Sequence, residues 1–320
     1  MHSTVNKDTA VKDDELSRLL RDAYSHIRDH RLDEAATALE RALEVDFEHP
    51  DVLSSLKYVN FWRDRAGTVA RLANGFEQGE YLLAQWRLFE GFVERIGAGC
   101  EECLYAVRTH VYDRALQFYQ SVNDGGTAGD PELLLRIGRC YKGKGDYDTA
   151  LSFLNKAYGQ KKDDPEVLAE LADCYAFVND VQRAKVFFRE AFFIGASRID
   201  IDVLESELIR RLVTKVREMG YNDQELLEWI PVYGWLYGVF TVRRELRSIE
   251  YGKLKQSIYA LERDYSDKRA SESLLIPRLV NRYFWLIDHY ISSGEDRSRI
   301  EEVLLKLRSI CPKIYEQYRN

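Results

Sequence analysis

Apolar side chains recur at intervals of three and four along most of this 320-residue chain, the spacing that lines one face of an α-helix. Leu134, Ile137, Gly138 and Tyr141 fall at i, i+3, i+4 and i+7 of one such stripe. The stripe returns 34 residues later, with Pro131 recurring as Pro165, Leu134 as Leu168, Ile137 as Leu171, Gly138 as Ala172 and Cys140 as Cys174. Tyr141 likewise recurs as Tyr175, Ala150 as Ala184, Leu154 as Phe188 and Ala157 as Ala191. Gly138, Ala150, Ala172 and Ala184 are the small residues that let two helices approach, and the two tyrosines fill the space beside them. Glycine in the run 142–147 ends one helix before Asp146 caps the next, and Asn179-Asp180 does the same a unit later. The pattern predicts consecutive helix pairs.

Outside 131–196 the signal is weaker. Ala23, the run 31–35, Leu39 and Ala42 read as one further pair. Pro50 opens a helix kept in register by Leu53 and Leu56, followed late by a turn over 75–79, with Ala84 and Leu88 in the later positions. A helix over 103–119 turns Ala106, Val107, His110, Val111, Ala115 and Phe118 inward, and 123–130 is the clearest break. Beyond Gly195 a helix over 201–217 ends at Gly220. The aromatic block 226–240, interrupted by Pro231 and two glycines, predicts a helix, a break and a second helix running on through Arg247. Further helices are expected over 253–263, 274–292 and 297–307, the last pair turning at Gly294 and closing the stack. The organisation expected is therefore a flexible 1–14, divergent hairpins over 15–122, two regular units over 131–196 and a capping helical region over 200–320.

The period and the small-residue positions of 131–196 resemble the tetratricopeptide (TPR) repeat. The departure is the closing proline, which arrives a few residues late as Pro165. The resemblance implies an all-α, TPR-type helical-hairpin solenoid acting as a non-catalytic protein-interaction scaffold. It further implies that the first helix of each pair lines a concave groove. The groove positions would be Glu132, Leu135, Arg139 and Lys142 in the first unit, then Glu166, Ala169, Asp173 and Ala176 in the second, with Phe177 as an apolar anchor. The basic-to-acidic change along them suits an aligned partner segment. Leu135 and Glu170 occupy two positions of the clamp with which some TPR proteins hold a C-terminal carboxylate, which argues against that ligand. The aromatic run around Trp229 and the stretch 277–285 are also similar to TPR proteins of spirochaetal bacteria, some of which build the flagellar motor collar. That similarity implies a structural subunit of a large assembly.

Trp229, Tyr233, Trp235, Tyr237 and Phe240 form a second interaction surface if exposed and a core joint if buried, the latter being the favoured reading. Composition adds exclusions. A net charge of −7 argues against nucleic acid as the main ligand. No apolar run is long enough to span a membrane and none resembles a signal peptide, so a cytoplasmic location is expected, or a periplasmic one if a leader or anchor has been removed. The five cysteines are scattered, as for reduced thiols. Cys100 and Cys103 have redox or metal spacing, the one foothold for an enzyme reading, yet no second pair completes a zinc site. His26 and His30 lack a third ligand and read as surface residues. No cofactor motif is present.

Overall fold

A computed structural model describes residues 2–97, 99–122, 129–242, 245–268 and 271–319, with side chains from residue 12 onward. Among the described residues the chain is all-α, with fifteen helices and no strand. It divides into two compact units, residues 1–153 and 154–320.

The first unit contains α1 (His2–Arg28), α2 (Leu32–Val45), α3 (Pro50–Arg71), α4 (Gly75–Ile96), α5 (Glu101–Val122), α6 (Pro131–Gly143) and the first half of α7 (Tyr147–Gln160). Residues 2–14, expected to be flexible, are the first half of α1. Hairpins α1/α2 and α4/α5 pack around one aromatic core of Tyr58, Trp62, Trp86, Phe89, Tyr112 and Tyr119, and α5 also packs against α1. The turn expected over 75–79 is instead the first turn of α4, capped by Asn74, whose side chain accepts from the Glu77 amide. Gly75 and Gly79 are needed for close approach: a Cβ on Gly79 would lie 2.5 Å from the Tyr119 ring, and one on Gly75 would lie 2.5 Å from the Phe118 carbonyl. The break expected at 123–130 lies largely outside the described residues.

The second unit contains the rest of α7, then α8 (Pro165–Phe177), α9 (Val181–Gly195), α10 (Glu207–Arg217), α11 (Asp223–Leu236), α12 (Ser248–Ser266), α13 (Glu272–Ser292), α14 (Arg297–Ile310) and α15 (Pro312–Arg319). Two differences from expectation have local causes. The helix expected to begin at Ile201 begins at Glu207, because a short 3-10 turn, Ile201–Val203, comes first and the backbone amides of Glu205 and Ser206 donate to Asp173. Within the block 226–240 one helix runs through Pro231 as far as Leu236, and no second helix follows among the described residues up to Val242. Gly238, at φ +73°, turns the chain back so that Phe240 donates its amide to the Gly234 carbonyl and lays its ring on that glycine. Arg243 and Arg244 lie outside the described residues.

One turn recurs across the hairpins. In α6/α7 the Asp146 amide donates to the Tyr141 carbonyl and Gly145 sits at φ +82°; in α8/α9 the Asp180 amide donates to Tyr175 and Asn179 sits at φ +61°. The same six-to-one bond joins Arg31 to His26 and Glu295 to Tyr290, with His30 at +63° and Gly294 at +69°. This is the left-handed helix cap with its paired hydrogen bonds. Pro131 and Pro165 each open the following helix at its first position, where a missing N–H costs nothing, and Asp130 and Asp164 cap those helices. The late proline is therefore a helix opener.

Candidate partner-binding site

The residues expected to line a groove divide by burial. In α6, Leu135 and Lys142 are buried, whereas Glu132 is exposed and Arg139 partly exposed. In α8, Ala169 and Asp173 are buried, and Glu166, Ala176 and Phe177 remain partly exposed. Leu135, Lys142, Ala169 and Asp173 are thus not groove-lining. The face of α6 that packs on α5 carries Leu133, Ile137 and Cys140 instead, and a Cβ on Gly143 would lie 2.4 Å from the Tyr112 ring. In α8 ten of the thirteen residues are buried, which leaves little of the helix open. Asp173 holds the chain together locally, because its carboxylate accepts from the Glu205 amide at 2.9 Å and the Ser206 amide at 2.8 Å and so fixes the entry into α10.

The second unit has an open pocket of about 710 Å³. Ala176 and Phe177, from the last turn of α8, form one wall, with Val181 from the first turn of α9. Leu208, Arg211, Leu212 and Lys215 come from one face of α10, at i, i+3, i+4 and i+7. Tyr237 and Val239, in the turn after α11, close it. That turn is held to α9 by Lys185, which donates to the Gly238 carbonyl at 2.9 Å. Val181 and Tyr237 are 39% and 44% exposed, unusual for large apolar groups that share one pocket. At the rim Arg211 pairs with Glu207, while Lys215 makes no ion pair among the described residues. The pocket is therefore apolar within and positive at one edge.

The second expected surface is mostly core. Trp229, Tyr233 and Phe240 are buried, Trp235 is partly buried with its indole N–H donating to Asp288 at 2.9 Å, and Tyr237 alone of the five is exposed. As an exposed aromatic patch it does not exist; the packing of α11 on α13 covers it.

Cys100 and Cys103 are buried as well, with the Tyr24 hydroxyl 3.0 Å from the Cys100 sulfur. Burial pushes the Cys103 thiol up to about 12, far from the thiolate that redox or metal chemistry needs. No group of three His, Cys, Asp or Glu side chains among the described residues is placed to hold a metal ion. No helix among them is long and apolar enough to cross a membrane. His30, expected at the surface, instead meets His110, Nδ1 to Nδ1 at 3.0 Å, a partner 80 positions away that no local pattern could reveal.

Residues 142–192 match the Tetratricopeptide repeat family model. The match starts in the last turn of α6 and takes in α7, α8 and nearly all of α9, the segment whose turns and small residues repeat at 34. Comparison with curated proteins finds no match. The repeat supports reading the chain as a TPR protein and a protein-interaction scaffold; nothing in the comparisons supports a relation to the flagellar motor collar.

Proposed function

We propose that this chain is a non-catalytic scaffold that holds a short segment of a partner protein in the pocket between α8, α9 and α10. The observation that carries the reading is the pocket's composition. Ala176, at a position expected to line the groove, and Phe177 beside it are joined there by exposed Val181 and Tyr237, with Lys215 unpaired at the edge among the described residues. Such a site takes an apolar side chain inward and a carboxylate at the rim, the pattern of a short acidic-amphipathic motif. Glu132, Arg139 and Glu166, the remaining accessible positions of the expected groove, are not needed for this mode.

Selection of a random peptide display library on the full chain tests it. The selected peptides should share an apolar residue beside an acidic one, and should lose tenfold or more in affinity, about 1.4 kcal/mol or greater, for Val181→Glu and for Lys215→Glu. Both side chains are exposed, so the variants should melt as the parent does. Peptides that bind both variants as well as the parent would overturn the reading.

A further inference from the structure

The first unit contains a second pocket, of about 480 Å³, between the α1/α2 turn and helices α3, α4 and α5. Its apolar walls include Trp62, Val69, Leu82 and Phe118. The Trp62 side chain is 2% exposed, and its indole N–H has no hydrogen-bond partner among the described residues. That N–H is itself fully buried, so what Trp62 offers the pocket is apolar ring surface.

The charges in the same walls point to the kind of ligand. Of the three arginines present, Arg63 is neutralised by Asp33 at 2.8 Å. Arg65 and Arg114 have no carboxylate partner among the described residues. Arg65 is nevertheless held in place: its guanidinium lies 3.4 Å from the Phe61 ring centroid and donates to Gln85 and to the Phe61 carbonyl, both at 2.7 Å. Arg114 donates to Gln117 at 2.9 Å and lies over Phe118. The His30–His110 pair on the same wall is neutral, since one Nδ1 must donate while the other accepts, and protonating the acceptor would set two N–H groups head to head. The nearby Asp113 is taken by Lys144. The pocket therefore presents fixed positive charge and apolar surface.

We propose that this pocket binds a small organic carboxylate, its apolar body against Trp62 and Phe118 and its oxygens on the Arg65 and Arg114 guanidiniums. A planar carboxylate matches the guanidinium fork and accepts from several donors at once. The volume lies within the range of small-ligand sites. This site is separate from the partner pocket of the second unit and stands or falls independently of it.

The test uses the full chain with ¹⁵N-labelled tryptophan, titrated at constant ionic strength with sodium benzoate and, separately, with neutral benzamide. Benzoate should shift, saturably, the one indole N–H resonance that Trp62→Phe removes, and benzamide should not. Arg114→Gln, at a partly exposed position, should weaken benzoate binding about tenfold or more and carries the test even if Trp62→Phe does not fold. No saturable shift with benzoate, an equal response to benzamide, or unchanged affinity in Arg114→Gln would each overturn the proposal.

Discussion

Asp288 shows most plainly how single residues hold the second unit together. It is 1% exposed on α13 and accepts from the Arg189 guanidinium of α9 and the Trp235 indole of α11, while Arg189 also donates to the Val242 carbonyl and lies over Trp285. One carboxylate thus ties three helices. Removing it leaves a buried guanidinium uncompensated, so Asp288→Ala should cost about 3–5 kcal/mol in urea unfolding; a loss below about 1 kcal/mol would show that the pair is not an organising contact. In the first unit, burial is the main force lowering His110, to about 3, with His30 and the Arg114 charge acting in the same direction. His30 is lowered too, by burial and by Arg114, against the pull of Asp113 and Asp29. Because the folded value of His110 lies below the unfolded one of about 6.5, its contribution is fully present above that pH and is lost as pH falls toward 3. Between pH 7 and 5 this amounts to about 2 kcal/mol from His110 alone, and a His110→Gln variant should show a correspondingly flatter dependence of stability on pH. Parallel curves for the two proteins would contradict the assignment.

At the scale of elements, four hairpins share one left-handed turn, and two of them share a 34-residue spacing of small residues. Ala150, Ala157, Ala184 and Ala191 are all fully buried, the condition for helices in close contact. Ala184→Leu should therefore overpack the α8/α9 contact and lose about 1–3 kcal/mol in denaturant unfolding; a neutral result would mean that the hairpin tolerates more space than its burial implies. These elements are legible in the sequence because their causes are local: a cap, a proline at the first helical position, an alanine every turn or two. Sequence and structure part where the cause is distant. Gly75 and Gly79 read as a turn because the parts of α5 that demand them, the Phe118 carbonyl and the Tyr119 ring, lie about forty residues on. Asp173 reads as a groove residue because the amides it receives belong to residues 205 and 206. The enclosure of α8 does leave a trace: Val167, Leu168, Ala169, Leu171, Ala172 and Cys174 surround the helix and do not keep to one face, the mark of an element buried all round. Lys142 leaves none, since a lysine on a repeat helix looks the same in sequence whether it is buried or exposed.

For the molecule as a whole, each unit combines hairpin packing with an open pocket, and the two pockets differ in character. The second unit's is apolar and lies where α10 fills part of what a plain repeat would leave open; the first unit's is lined by arginines and histidines. The proposed partner pocket is half visible in the sequence, through Ala176 and Phe177. Its other half, from α10 and the 237–239 turn, depends on packing that follows the regular repeat and carries no 34-residue signature. Methyl chemical-shift mapping of the full chain with a library-selected peptide tests the scaffold assignment most directly. The assignment predicts saturable shifts at Val181, Leu208, Leu212 and Val239, absent in Lys215→Glu at the same peptide concentration. Shifts confined to other methyls, with those four unmoved at saturation, would contradict it.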